Sequence, residues 1–334
     1  MPQSLSSSIR PIASRAFRAV GIALRPWTGK PPGTAYAAHY EDVLGTSLEL
    51  HLSATHADAA QCAERHVLTE MDRLDRILSG WAATSELSHW QQSYDVDAPV
   101  SQELAEVLEL GEDWRIWTGG AFNPASISLM ELLGDATHSS ALRDRIAELS
   151  QPLWTVDCER RVARRLTRLP VSLDALAKGY IVDRVAARAR ATDGVTQVLV
   201  NIGGDLRHHG DDKLEVGVAD PRAPAENASP IAVVKLREEA LATSGEYRRG
   251  STVDGQTVSH IVDPRTGTPT GGVISASVIA PDCATADALS TAFSVLMPKE
   301  SVALADSLRG VGCLMVQRNG AITTNATWRA RAAA

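Results

Sequence analysis

The sequence predicts an α+β fold, with mixed or antiparallel sheets and packed helices. Three observations carry this reading. Short apolar, β-branched runs interleave with longer segments of helical period. Strand-like pairs joined by turn signals, such as the one around Asn319-Gly320, interrupt any strict strand–helix–strand rhythm. Hydrophobic residues make up 44% and charged residues 22% of the 334 positions, which is the balance of a globular chain and a poor fit to collagen-like, coiled-coil or disordered classes.

The first forty residues stand apart. They hold Arg10, Arg15, Arg18, Arg25 and Lys30, and the first carboxylate is Glu41. Residues 1–40 are therefore expected to be a basic segment outside a domain over 41–330. Three readings of it stay open: a basic tail, an export leader with Ala35-Tyr36-Ala37 as a cleavage site, or a short amphipathic helix over Ile12–Leu24. The chain is accordingly expected in the cytoplasm or exported. No cysteine precedes Cys62, so a lipid-anchor cysteine is not expected.

Further along, Val43–Leu52 alternates and reads as a strand. Ala57–Leu78 places Ala60, Val67, Leu68, Met71 and Leu74 near one stripe and reads as a helix, with Gly80 as its stop. Ser101–Trp117 and Ala141–Leu149 are further helices. Trp154–Val162 and Arg165–Leu173 read as strands, followed by a helix over Ala175–Ala191. Gln197–Ile202 is an apolar strand that stops at Gly203-Gly204. Lys213–Val218, Ile231–Leu236 and Val273–Ala280 are strands, and Ala284–Met297 is a helix. Cys313–Gln317 and Ala321–Thr324 form the closing hairpin, and Pro221–Pro230 is a loop.

Charge and cysteine content narrow the function. With 33 Lys+Arg against 40 Asp+Glu the net charge is −7, which argues against an electrostatic nucleic-acid binder. No run of apolar residues is long enough to span a bilayer as a helix. Cys62, Cys158, Cys283 and Cys313 are widely spaced without a CxxC, and read as separate thiols rather than a zinc or disulfide framework.

Several clusters carry possible chemistry. In Thr285–Thr291, helical spacing puts Asp287, Ser290 and Thr291 on one face. One carboxylate and two hydroxyls are hard oxygen donors suited to Mg²⁺, while the alternative is an Asp complementing a helix dipole. His260 and Asp263 stand at the start of a Pro/Gly-rich turn and make either an acid/base pair or an Asx-turn beside a solvated His. Gly203-Gly204-Asp205 allows close backbone approach to a ligand, without matching GxGxxG or a P-loop. Lys178, within an apolar run, either binds an anionic group or snorkels. Thr243-Ser244-Gly245 and Thr118–Asn123 are loop-like stretches of small residues.

Eight blocks in order join these clusters: LGTSLEL (44–50), TSELS (84–88), TGGAFNPA (118–125), SLDALAKGYIVDR (172–184), VNIGGDLRHHG (200–210), LATSGEYRR (241–249), SHIVDPRTGTP (259–269) and ATADALSTA (284–292). Together they resemble the ApbE-type FAD:protein FMN transferases. The resemblance implies Mg²⁺-dependent transfer of FMN from FAD, as substrate, to a Thr or Ser hydroxyl of an acceptor redox protein carrying a flavinylation motif, with release of AMP. By position it implies Asp287, Ser290 and Thr291 at the metal, with the Ala175 carbonyl. Lys178 would face the FAD phosphates or ribose. Leu44, Trp81, Ala121, Phe122, Asn123, Ser172, Gly203, Gly204, Ser244, His260 and Ile261 would line the FAD site. His260 would lie nearest the transferring phosphoryl group, with Asp263 orienting it or acting as the base.

The chain departs from the family pattern at Asn123 and Ser172, where Asp is usual, at Asp174 in place of Gly, at Leu44 in place of Met, and at His89-Trp90-Gln91. These departures touch the FAD pocket more than the metal helix and keep open a non-catalytic flavin-binding protein; the resemblance itself also keeps open an FAD pyrophosphatase giving FMN and AMP.

Overall fold

The computed structural model describes residues 22–24, 33–132, 139–223, 228–245, 251–253, 256–258, 262–270 and 272–333. Its strands are β1 (Ile22–Leu24), β2 (Thr34–Val43), β3 (Thr46–Ala54), β4 (Asp97–Pro99), β5 (Trp154–Asp157), β6 (Val162–Arg165), β7 (Val195–Ile202), β8 (Asp205–His209), β9 (Leu214–Val218), β10 (Ala232–Leu236), β11 (Ala240–Gly245), β12 (Ser251–Val253), β13 (Gln256–Val258), β14 (Val273–Ala280), β15 (Gly312–Gln317) and β16 (Ile322–Thr324). The helices are α1 (Ala57–Leu78), α2 (Glu86–Trp90), α3 (Gln102–Trp117), α4 (Ser139–Leu149), α5 (Asp174–Arg190), α6 (Cys283–Phe293), α7 (Pro298–Ser307) and α8 (Ala326–Arg331). None of the described helices is long and apolar enough to cross a membrane.

One eight-stranded sheet, in the order β16-β15-β14-β11-β8-β7-β3-β2, organises the molecule. Every ladder in it is antiparallel. Both faces are covered. Val198, Val200 and Ile202 of β7 enter a large core with α1, α3, α5 and α6. Leu199, between them, points the other way into a smaller core with Leu206, Val216, Val234, Ile279 and Trp328. Burial on both faces is why Val198-Leu199-Val200 and Val278-Ile279-Ala280 are consecutive apolar residues rather than alternating with polar ones.

Helix starts follow their capping residues. Ser101 accepts from Leu104 N–H at 3.2 Å before α3, and Asp282 accepts from Thr285 N–H at 2.7 Å before α6. The α1 limits coincide with those read from the sequence.

Three expectations are corrected. The strand read at Val43–Leu52 is the second arm of a hairpin whose first arm, β2, lacked a clear apolar pattern. Leu44 and Gly45 form its turn at φ +49° and +72°. Trp154–Val162 is not one strand: it spans β5, a turn, and the first residue of β6. Beyond Arg165, the last residue of β6, no strand covers the segment to Leu173, where Pro170 has no N–H to give and other amides go to scattered partners rather than to one neighbouring strand. Val171 N–H donates to Gln91 Oε1 at 3.1 Å, Leu169 N–H to Thr167 Oγ1 at 3.0 Å, and Ser172 N–H to the Pro124 carbonyl at 2.9 Å. Strand β2 begins at Thr34, and β1 pairs with β9, so described sheet structure lies on the N-terminal side of residue 40.

Candidate active site

The site begins where α5 crosses α6. Gly179 permits the crossing: a Cβ there would lie 2.4 Å from the Cys283 carbonyl oxygen and 2.9 Å from Ala284 Cα. Only a residue without Cβ lets the two backbones meet so closely. The approach brings Asp287 of α6 onto α5, where its Oδ2 accepts from Gly179 N–H at 3.2 Å. In a regular helix that N–H serves the carbonyl four residues back, which here is Ala175. Engaging it with Asp287 leaves Ala175 oxygen with acceptor capacity to direct elsewhere.

Asp287 is 4% exposed. Burial, and then the negative charge of Asp205, push its carboxyl well above the ordinary carboxylate range, against the opposing pull of Lys178 and the Gly179 N–H. Asp205 is itself 1% exposed and forms an ion pair with Lys178. Two buried carboxylates thus face a single lysine. That excess of negative charge, with oxygen donors around it, fits a hard divalent cation.

Asp205 is held by the β7–β8 turn. Gly203 and Gly204 have φ of +59° and +95°, the paired left-handed conformation of a two-residue hairpin. Gly204 N–H donates to Asn201 Oδ1 at 3.0 Å, and the Asn201 amide donates to buried Glu49 at 3.1 Å. Gly203 packs on Thr46, so this turn adjoins the β2–β3 turn that carries Leu44.

The hydroxyls form a chain. Ser290 donates to the Asp287 carbonyl at 3.0 Å, Ser244 Oγ lies 2.8 Å from Ser290 Oγ, and Thr291 Oγ1 lies 3.3 Å from Ser244 Oγ. With each proton passed toward Ser290, the lone pairs of half-buried Thr291 remain available as donors to a cation. Ser290 is fully buried and braces the helix from inside.

The 118–125 block lies on the side of α5's N-terminus. Ser172 Oγ accepts from Asp174 N–H at 3.3 Å. Ala121 and Phe122 are each 2% exposed and pack in the main core. Asn123 Nδ2 donates to the Leu149 carbonyl at 3.0 Å, and its Oδ1 accepts from Ala125 N–H at 3.0 Å. The first of these bonds requires a donor, which gives Asn in place of Asp a physical reason here. A cavity of ≈ 350 Å³ opens beside it, lined among others by Arg115, Gly119, Gly120, Asn123, Pro264 and Arg265. Trp81 is 82% exposed beyond the end of α1.

Asp263 is the hub of its turn. It accepts from Arg265 Nε at 2.9 Å and Nη2 at 2.8 Å, and from Arg265 N–H at 2.9 Å. Both its oxygens are thereby engaged. His260 and Ile261 lie outside the described residues.

The structure therefore brings Ala175, Lys178, Asp287, Ser290, Thr291 and Ser244 together at the α5–α6 crossing, with Gly203-Gly204 reaching them through Asp205. Asp205 is the member missed as a site residue. Its signal was present in the Gly-Gly-Asp triplet, but only the hairpin shows that the carboxylate meets Lys178.

The comparisons agree with this architecture. The ApbE family profile matches residues 44–315. The FAD:protein FMN transferase of Treponema pallidum (strain Nichols) is 30% identical over 304 residues, covering 83% of each chain. That of a Vibrio cholerae strain is 33% identical over 255 residues, covering 72% of this chain and 76% of its own. Among solved structures, the ApbE protein of Thermotoga maritima superposes with a TM-score of 0.79 at 27% identity, over 90% of this chain and 100% of its own. The flavin transferase ApbE of Vibrio cholerae, at 22% identity and a TM-score of 0.73 over 90% and 100%, shares the fold. The match over residues 44–315 means that the chain belongs to the ApbE family.

Proposed function

We propose that this protein transfers the FMN moiety of FAD to a Thr or Ser hydroxyl of an acceptor redox protein carrying a flavinylation motif, in a Mg²⁺-dependent reaction. The observation that carries the proposal is the buried pair Asp287 and Asp205 facing Lys178 at the α5–α6 crossing. Relatives named FAD:protein FMN transferase support the same chemistry.

In the reaction the acceptor oxygen attacks the phosphorus of the FMN half. The bond from that phosphorus to the bridging oxygen breaks, AMP leaves with that oxygen, and the hydroxyl proton passes to a base. Asp287, Thr291 and the Ala175 carbonyl would hold the cation, with Ser290 bracing Asp287. Bound there, Mg²⁺ would supply neutralisation of the pyrophosphate charge. Lys178 adds a second positive group, released toward the phosphates from a partner that stays buried. Gly203 and Gly204 let the backbone approach the nucleotide. His260 is assigned the proton, and Asp263, with both oxygens held by Arg265, keeps the turn that follows it in the sequence.

The test is mass spectrometry of a candidate acceptor incubated with FAD and Mg²⁺. Addition of an FMN, lost in Asp287→Ala, is the expected result. Equal release of AMP and FMN with no acceptor present assigns water as the acceptor instead. Flavin bound with no AMP formed refutes catalysis.

A further inference from the structure

The start of α6 is gripped from a second helix. Asp183 of α5 accepts from Cys283 N–H at 2.8 Å through each oxygen, and its Oδ2 also accepts from Ala284 N–H at 2.9 Å. Asp282 takes the next amide, that of Thr285. Three of the amides that a helix start leaves without partners are thus filled, two of them by another element. Arg207 of β8 closes the arrangement. It donates to the Pro281 carbonyl, and its Nε lies 3.9 Å from Asp183.

This grip has a geometric consequence. Ala175, Gly179 and Asp183 recur every fourth residue and form one stripe on α5. Gly179 sets how near α6 can come but offers only a smooth, small contact. A helix rises 1.5 Å per residue, so a slip of one position along that contact would carry Asp287 and Thr291 away from Ala175 and Lys178. Asp183 is directional where Gly179 is not. Its placement is also costly: burial pushes its carboxyl up to about 6, against the pull of the two amides. Local capping alone needs no half-buried carboxylate from a neighbouring helix, since Asp282 already caps α6.

We infer that Asp183 is a positioning residue for the metal site, setting the axial register of α6 on α5 and so the placement of Asp287 and Thr291. The inference rests on the metal reading of α6 given above. Its test is Mn²⁺ binding to the full chain, followed by EPR of the free ion, beside thermal unfolding without metal. The wild type is expected to bind Mn²⁺ and Asp287→Ala to lose it; absence of wild-type binding, or full binding by Asp287→Ala, refutes the metal reading itself. Asp183→Ala is expected to weaken Mn²⁺ binding by roughly 10- to 100-fold, the range for a group that orients a metal ligand. Asp183→Asn, which keeps one accepting oxygen, should fall between, about fivefold weaker. A purely structural Asp183 would lower the melting temperature and leave affinity within twofold of wild type, which overturns the inference. If Asp183→Ala does not fold, Asp183→Asn decides: affinity equal to wild type overturns it.

Discussion

Replacing Gly179 by alanine sets two effects against each other. Alanine improves the helical propensity of α5 by about 1 kcal/mol over glycine. The new methyl would stand 2.4 Å from the Cys283 carbonyl oxygen and 2.7 Å from its carbon, where ordinary contact begins near 3.4 Å. Both obstacles are backbone atoms, so no side chain can swing aside, and the helices must part by about 1 Å. Overpacking of this kind costs about 1–3 kcal/mol. Parting also stretches the 3.2 Å bond from Gly179 N–H to Asp287, and a buried acceptor that loses its donor costs about 1–3 kcal/mol more. The net expectation is a loss of about 1–5 kcal/mol in urea unfolding followed by circular dichroism. The same displacement moves Asp287 against Ala175 and Lys178, and misplacement by 1 Å lowers a positioned reaction about 100-fold. Gly111→Ala in α3 is the control, because its methyl would meet side chains and no backbone, Trp154 at 3.3 Å, Pro124 at 3.7 Å and Leu173 at 3.8 Å; its stability should stay within about 1 kcal/mol. A Gly179→Ala protein as stable as wild type, with flavin transfer within threefold, would refute the reasoning.

Other sites give independent tests. His208 is fully buried, its two ring nitrogens have no partner among the described residues, and burial holds its imidazole down at about 4. The unfolded chain therefore binds a proton that the folded chain refuses between pH 6.5 and 4, so this group lowers stability as pH falls through that window, by about 2 kcal/mol between pH 7 and 4.5. His208→Phe should remove that part of the slope, and urea midpoints at the two pH values measure it; an unchanged slope rejects the assignment. Lys178→Met leaves Asp205 and Asp287 facing each other and should cost about 3–5 kcal/mol, much of it recovered in Lys178→Met/Asp205→Asn, as a double-mutant cycle would measure. Additive losses would mean the pair is not coupled. Trp81→Ala, at an exposed site, should leave stability within about 0.5 kcal/mol. If the indole stacks on a ring of FAD, the FAD KM should rise roughly 5- to 150-fold, as expected for an aromatic platform of about 1–3 kcal/mol; an unchanged KM excludes stacking.

Much of the fold was legible because strong periodicity survives tertiary packing. The α1 stripe of Ala60, Val67, Met71 and Leu74 marked both ends of that helix, and Asn319-Gly320 marked the last hairpin, where Gly320 has φ +86°. The failures have equally local causes. Strand β2 is a sheet edge of mixed polarity, and its burial comes from pairing with β3 rather than from its own pattern. Arg165–Leu173 alternates like a strand, but its amides are claimed by Gln91, Thr167 and Pro124, contacts distant or irregular in sequence.

The site divides in the same way. Spacing within one helix sufficed to group Asp287, Ser290 and Thr291, because side chains three and four apart on a helix share a face whatever surrounds them. The order of eight blocks carried the family. Local sequence cannot say which residues from separate elements approach one another. Only the tertiary structure decided that Asp205 meets Lys178 and that Asp183 grips the start of α6. It also fixed Gly179 as the point where the two helices touch. These are meetings of residues far apart in sequence, set by the twist of one antiparallel sheet and the packing of two helices on its face, and no period along the chain encodes them.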